Sequence, residues 1–131
     1  MMKHIKIILS LLLFISLSFI ENVEAQVVNN IDVAKFSEIV KDKDLQLVDV
    51  RTAKEVMTGK IEGAINVDYF GENFKNEIAK LDKEKAIAVY CRSGNRSGRA
   101  TNILKDLGFT KIYNLNGGMK AWKSSKMPVV K

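Results

Sequence analysis

The spacing of apolar positions along the chain changes repeatedly between short continuous runs and helical intervals. The continuous runs are too short for helices and predict buried strands at 45–50, 64–67, 86–90 and 112–115. Apolar side chains three and four residues apart predict amphipathic helices at 31–40, 70–81 and 100–107, with a final helical turn at 119–123. The pair Asn29-Asn30 is placed to cap the first helix, and Thr52 with Glu55 has the spacing of a capping box for a short helix ending near Gly59.

This alternation of strands and helices predicts one α/β domain. The expected architecture is a mostly parallel central sheet with helices on both faces, because parallel neighbours need crossover connections that cover the sheet. Ligands of such sheets bind beyond the C-terminal ends of the strands. Cys91 directly follows the strand predicted at 86–90, so it lies at the edge where a ligand is expected.

The N-terminus has the three parts of a secretory signal. Basic residues within the first six positions precede an apolar stretch from Ile7 to Ile20, and Val23 and Ala25 occupy the positions that a signal peptidase inspects. We expect a signal peptide at 1–25, cleaved after Ala25, and a mature domain at 26–131. The protein would then be exported, either periplasmic or secreted. A retained anchor is the alternative, but the run is short for the ~30 Å of hydrocarbon in a bilayer, and we expect no stable membrane insertion after cleavage.

The counts of rare residues exclude several kinds of site. The 131 residues include 1 Cys and 1 His, so neither an intramolecular disulfide nor a two-cysteine redox motif can form. The histidine, His4, would leave with the signal peptide. The mature chain would then lack the imidazole of a Cys-His protease, a Ser-His-Asp hydrolase or a His-ligated metal site. We expect no metal and no cofactor.

The net charge of +6 raises the question of nucleic acid. The positive residues are scattered over most of the predicted helices and aromatic residues are not interleaved with them. This arrangement favours a solvated basic surface, and we expect no nucleic-acid partner. A basic field would raise the local concentration of a small anion.

The residues after the lone cysteine combine positive charge, a flexible position and hydrogen-bonding side chains. They are Arg92, Ser93, Gly94, Asn95, Arg96 and Ser97. A loop curled around the sulfur of Cys91 would direct its backbone N–H groups and a helix N-terminus at it, and such a cradle lowers the pKa of a thiol below ~8.5. The implied chemistry is attack by a preformed thiolate on an anionic substrate. The simpler alternative is a small buried cysteine followed by residues that only cap the next helix.

In these residues the chain resembles the rhodanese family of sulfurtransferases, through three segments in the family's order. The first comprises 47–51 with Glu55, Gly59, Ile61 and 63–66, the second is 90–97, and the third comprises 108–115 with Gly117, Gly118, Trp122 and Pro128. The resemblance implies the rhodanese α/β fold and a cysteine that carries sulfur as a persulfide. Cys91 would take the outer sulfur of thiosulfate, or of a similar small anionic donor, and pass it to cyanide or a thiol. No protein partner can be named from these segments.

The resemblance also implies roles for the residues around the cysteine. Those from Arg92 to Arg96 would form the cradle and attract the sulfonate. Asp49 and Arg51, on a neighbouring strand end, would brace the loop through ionic and hydrogen-bond contacts, and Glu55 would be structural and pair with an arginine near the site. The chain departs from the family at Lys60 and Glu62, where His and Pro are usual, and at Val56, where an aromatic residue is common.

Two other functions compete with sulfur transfer. Cysteine phosphatases and arsenate reductases use a similar loop but place Arg six positions after the Cys, whereas here the sixth position is Ser97 and Arg96 comes one residue early. The shorter loop favours a single sulfur atom on Cys91. A non-catalytic rhodanese-like binding module is the second alternative, although such modules often lose the Cys and this chain keeps it.

Overall fold

The computed structural model describes residues 27–131, and the signal peptide expected at 1–25 lies outside the described residues. Strands and helices alternate throughout this part of the chain. In chain order they are β1 (Val28–Ile31), α1 (Val33–Ile39), β2 (Gln46–Asp49), α2 (Ala53–Met57), β3 (Ile65–Asn66), α3 (Phe74–Ile78), β4 (Ile87–Tyr90), α4 (Asn95–Asp106), β5 (Ile112–Leu115) and α5 (Gly118–Ser124).

The strands form one 5-stranded sheet in the order β1-β5-β4-β2-β3. Every neighbouring pair of strands is parallel, and Asp49 at the end of β2 lies opposite Tyr90 at the end of β4. An isolated antiparallel bridge joins Lys60 to Val130 near the C-terminus. The prediction of a parallel sheet in an α/β domain is therefore confirmed, and the residues that follow β2 and β4 emerge side by side.

Helices cover both faces of the sheet, as the sequence predicts. Alternate residues of β4 point to opposite faces because side chains in a strand have a period of two. Ile87 and Val89 belong to a buried cluster that α3 and α4 complete, with residues such as Ile78 and Leu104. Ala88 and Tyr90 belong to a second cluster, completed by α1 and α5 through Phe36, Met119 and Trp122. β4 is thus buried on both sides, and its four residues are each inaccessible to solvent.

The first strand was not predicted from the sequence. Asn29 and Asn30 do not cap a helix: they lie in β1, and the cap of α1 is Asp32, whose carboxylate accepts a hydrogen bond from the Lys35 N–H at 2.9 Å. β1 pairs with β5 alone, at the edge of the sheet. A half-buried edge strand needs no continuous apolar run, and Asn30 satisfies its amide oxygen with a 3.0 Å hydrogen bond from Asn114.

Other boundaries also differ from the predicted ones. The helix predicted at 70–81 is confined to α3, and Phe70 is 69 % exposed. β3 comprises two residues of the predicted strand 64–67. The short helix after Thr52 is confirmed and the Thr52 hydroxyl caps it, accepting a hydrogen bond from the Glu55 N–H at 3.3 Å, whereas the Glu55 carboxylate pairs with Arg96. α4 begins at Asn95, before its first buried apolar residue, so part of the predicted loop is the first turn of a helix.

Candidate active site

Cys91 follows the last residue of β4 and its side chain is enclosed by the turn that leads into α4. The residue is 1 % exposed. Its Sγ accepts hydrogen bonds from the Gly94 N–H at 3.1 Å and from the Ser97 hydroxyl at 3.3 Å. Because Gly94 is the N-cap of α4 and Ser97 lies in its first turn, the sulfur sits against the amino end of a 12-residue helix.

These contacts favour the ionised form of the sulfur. Burial by itself would raise the pKa of the Cys91 thiol, but hydrogen bonds from the Ser97 side chain and from the backbone amides of Ser97, Ser93 and Gly94 outweigh it, and the pKa is lowered. The positive end of the helix dipole acts in the same direction. A lowered pKa favours the thiolate, which is the nucleophilic form of a cysteine.

Two glycines allow the backbone to close around this sulfur. Gly94 has a φ of 98°, in the left-handed region that favours glycine. Gly118, at the start of α5, has a φ of 56°, and a Cβ built on it would lie 2.5 Å from the Cys91 carbonyl oxygen. Its close approach lets the Met119 N–H donate to that oxygen at 2.8 Å and the Lys120 N–H donate to the Arg92 oxygen at 3.0 Å.

Sequence reasoning missed this contribution of α5. In the sequence the Gly117-Gly118 pair indicates a turn, and the available signal is that two consecutive glycines also suit a close backbone approach. The amino end of α5 therefore fixes the peptide groups of Cys91 and Arg92 from the side opposite to α4.

Arg96 is held beside the cysteine by α2 and by an aromatic ring. Its Nη2 donates to Glu55 Oε2 at 2.9 Å, as expected for an acidic residue that pairs with an arginine near the site. The hydrogen bond that Arg96 donates to Glu55, opposed by partial burial, raises the pKa of the Arg96 guanidinium. The guanidinium also lies over the Phe70 ring, 5.6 Å from its centroid. Among the described residues, its buried Nη1 has no hydrogen-bond partner.

Asp49 and Arg51 form a buried ion pair at the end of β2. Arg51 Nη2 lies 2.7 Å from Asp49 Oδ2, and the two side chains are 4 % and 0 % exposed. The same Nη2 donates to the Gly59 carbonyl at 2.7 Å, and Nη1 approaches the Glu55 carbonyl at 3.5 Å. The hydrogen bonds of the Arg51 side chain thus go to Asp49, to α2 and to the turn that follows α2, and not to the cysteine loop. Its effect on the loop is indirect, since α2 carries the Glu55 that binds Arg96.

The remaining predicted loop residues face solvent. Arg92, Ser93 and Asn95 are exposed. At the positions that depart from the family pattern, Lys60 Nζ donates to the Ala64 carbonyl at 3.3 Å, whereas Glu62 is exposed.

Among residues 27–131 no group of three or more His, Cys, Asp or Glu side chains could hold a metal ion. Within the same range no helix is long and apolar enough to cross a membrane.

Comparison with known proteins identifies the family to which this fold and loop belong. The family model of the rhodanese-like domain matches residues 32–125, which include all the strands except β1 and the whole of the Cys91 loop. The chain belongs to the rhodanese-like domain family. The match confirms the resemblance based on the three sequence segments.

Individual relatives of this rhodanese-like domain carry different activities in their names. It is 34% identical over 104 residues to a sulfurtransferase from Allochromatium vinosum, covering 79% of this chain and 95% of that protein. It is 31% identical over 93 residues to the thiosulfate sulfurtransferase GlpE from Shewanella oneidensis, covering 71% and 90%. A tRNA uridine(34) hydroxylase from Pelagibacter ubique is 34% identical over 92 residues, but these are 31% of that longer protein and 70% of this chain.

A solved structure supports the same family fold. The crystal structure of a rhodanese-related protein from Thermoplasma volcanium superposes with a TM-score of 0.69 at 30% sequence identity, covering 78% of this chain and 97% of that one. The chain is thus a rhodanese-like domain with relatives named as sulfurtransferases, and which substrates it uses is a separate question.

Proposed function

We propose that this rhodanese-like domain is a thiosulfate sulfurtransferase in which Cys91 carries the transferred sulfur as a persulfide. The observation that carries the proposal is the environment of Cys91 Sγ, which accepts hydrogen bonds from the Gly94 N–H at 3.1 Å and the Ser97 hydroxyl at 3.3 Å and has a lowered pKa. The likeness to relatives named sulfurtransferases supports it.

In the first half-reaction the Cys91 thiolate attacks the outer sulfur of thiosulfate. A new S–S bond forms to Cys91, the S–S bond of thiosulfate breaks, and its electron pair leaves with sulfite. The reactants carry three negative charges, and so do the products, which are a persulfide anion and a sulfite dianion. The step therefore requires no proton and no base. The amides that stabilise the thiolate also face the anionic persulfide that replaces it.

In the second half-reaction the acceptor attacks the outer sulfur of the persulfide. The S–S bond to Cys91 breaks, the electron pair returns to the cysteine sulfur as thiolate, and the acceptor leaves as thiocyanate or as a new persulfide. A leaving thiolate departs faster when its pKa is low. The hydrogen bonds from Ser97 and Gly94 therefore assist both half-reactions.

We assign the sulfonate of the donor to Arg96 and Arg92. Arg96 Nη1 is a buried donor with no partner in residues 27–131, although Nη2 of the same guanidinium is bound to Glu55. Leaving a buried donor unpaired is unfavourable, and an oxyanion in the site would remove that cost. Arg92 is exposed at the start of the loop and adds a second positive charge.

The experiment is to treat the purified domain with thiosulfate and measure its intact mass. We expect an increase by one sulfur atom, absent from the Cys91→Ala variant, and thiosulfate-to-cyanide turnover only in the wild-type protein. A wild-type protein that gains no sulfur is a binding module and not an enzyme. Hydrolysis of a chromogenic aryl phosphate at a rate comparable with sulfur transfer, dependent on Cys91, would instead identify a phosphatase.

We propose also that the domain acts outside the cytoplasm after removal of residues 1–25. The basic start, the apolar stretch from Ile7 to Ile20 and the residues before Gln26 support this location. N-terminal sequencing of the protein from fractionated cells tests it. We expect a single N-terminus at Gln26 in the exported fraction, and a full-length chain in the cytoplasmic fraction would contradict it.

A further inference from the structure

A cavity of about 460 Å³ lies beside the Cys91 loop and is lined by an excess of cationic side chains. Lys54 comes from α2, Arg92 from the loop, and Lys120 and Lys123 from α5, where their spacing of three residues puts them on one face of the helix. Cys91 is not itself part of the lining, but Arg92, its neighbour in the chain, is. Met119, also in the lining, donates its backbone N–H to the Cys91 carbonyl at 2.8 Å, so the cavity borders the Cys91 loop.

The positive charge of this basic cavity is not neutralised by the protein. Arg51 also lines it but is paired with Asp49, and the one acidic lining residue, Glu55, is bound to Arg96. No ion pair within residues 27–131 joins any of the other lining cations to a carboxylate. Like charges that converge on one concavity repel one another and lower stability, so their convergence favours an anionic ligand.

The size and lining of the cavity indicate what kind of anion would fill it. Its volume is in the range of small-molecule sites, ~300–1,000 Å³, and far exceeds the space that thiosulfate or sulfite occupies. No aromatic side chain lines it, so it lacks the stacking surface that nucleic-acid bases use. The buried Met119 contributes apolar surface that suits a short carbon chain.

We propose that the basic cavity binds the sulfur acceptor, and that this acceptor is a low-molecular-weight thiol bearing two or more carboxylates. The proposal rests on the proposed sulfurtransferase function and specifies its second half-reaction. The carboxylates contact Lys54, Lys120 and Lys123 while the thiolate attacks the outer sulfur of the Cys91 persulfide. The S–S bond to Cys91 breaks, its electron pair stays on the cysteine sulfur, and the acceptor leaves as a persulfide anion. A proton carried in by the acceptor thiol is released to water before the attack.

The test isolates the acceptor step. The domain is loaded with thiosulfate, freed of excess donor and mixed with either mercaptosuccinate or uncharged 2-mercaptoethanol, and persulfide loss is followed by mass. In the Lys120→Gln/Lys123→Gln variant we expect the mercaptosuccinate to 2-mercaptoethanol rate ratio to fall roughly fivefold or more, as about 0.5 kcal/mol from each lysine implies. The control variant Lys105→Gln/Lys111→Gln removes the same charge from exposed positions outside the cavity and should change the ratio less than about twofold.

An equal ratio in the two double variants overturns the proposal while leaving sulfur transfer by Cys91 intact. A second measurement decides the case in which Cys91 never acquires sulfur. Mercaptosuccinate is titrated into the Cys91→Ser protein by NMR, and we expect shifts at the amides of α2 and α5 that are lost in the background of Lys120→Gln/Lys123→Gln. The proposal is overturned if mercaptosuccinate produces no such shifts, or if unfractionated tRNA produces them and mercaptosuccinate does not.

Discussion

Removing the Ser97 hydroxyl tests whether hydrogen bonding controls the ionisation of Cys91. In Ser97→Ala the sulfur loses the contact from Oγ at 3.3 Å but keeps the backbone amides of Ser97, Ser93 and Gly94. A hydrogen bond to a charged group contributes about 1.5 kcal/mol or more. Since 1.36 kcal/mol corresponds to about one pKa unit, we expect the pKa of Cys91 to rise by about one unit.

The rise in pKa has opposite consequences on the two sides of the titration. Below both pKa values the thiolate fraction falls about tenfold, but nucleophilicity rises with a Brønsted slope of ~0.4–0.5, so the variant reacts about threefold more slowly. Above both pKa values each thiol is fully ionised, and the variant, with the more basic thiolate, reacts about threefold faster. The two pH–rate profiles therefore cross.

The assay is the rate of alkylation of Cys91 by iodoacetamide as a function of pH. Thr101→Val is the matched control, because it removes a buried hydroxyl from the same helix that bonds to the Gly98 carbonyl and not to the sulfur. We expect the control to keep the wild-type midpoint. A midpoint in Ser97→Ala that does not move upward, or profiles that do not cross, would refute the electrostatic account of the cradle.

Three further substitutions test the surroundings of the loop. Asp49→Asn leaves Arg51 buried without its anion and should lower the free energy of unfolding by about 3 kcal/mol in urea titrations; a loss below about 1 kcal/mol would mean that the arginine re-pairs or is hydrated. Gly118→Ala forces a Cβ against the Cys91 carbonyl and should lower the free energy of unfolding by about 1–3 kcal/mol. It should also remove most of the rate of persulfide formation, and a normal rate would show that α5 does not fix the loop. Arg96→Ala should raise the thiosulfate KM about tenfold with a near-normal circular dichroism spectrum, and an unfolded spectrum would assign the residue to stability instead.

The central part of the fold is predictable because its apolar pattern has a single physical explanation. β4 must be apolar throughout since helices cover both of its faces, and 86–90 is such a run in the sequence. β1 is not predictable in the same way. Its Asn29-Asn30 pair has a helix-cap signature, and what makes it a strand is pairing with β5, more than 80 residues later in the chain. Long-range pairing of this kind overrides local preference.

The candidate site shows the same division between local and distant contacts. The cradle from Cys91 to Ser97 is local, so residue types and the strand-to-helix junction are enough to predict it. The connection from Arg51 to the loop is not local, because it runs through α2 and the ion pair of Glu55 with Arg96. The resemblance implies that Arg51 contacts the loop, but its donors are used by Asp49 and by the Gly59 carbonyl. Only the three-dimensional structure reveals which acceptor a guanidinium satisfies when several are within reach.

The absence of a second cysteine from the chain, and of any histidine among residues 27–131, gives the loop two separate requirements. A mechanism that uses no general base needs a readily ionised Cys91, and this requires that hydrogen bonds outweigh the cost of burying a thiolate. Without a resolving thiol in the chain, the proposed persulfide on Cys91 would have to react with an acceptor that comes from outside. Ionisation favours a cradle that is closed around the sulfur, whereas reaction with an external acceptor favours an open path to it. α4 supplies the hydrogen bonds on one side, whereas the basic cavity between α2 and α5 lies on the side of Arg92. On the proposed mechanism, ionisation depends on hydrogen bonds from α4 whereas acceptor entry depends on cationic side chains of α2 and α5, so Lys120→Gln/Lys123→Gln can alter acceptor choice without changing the pKa of Cys91.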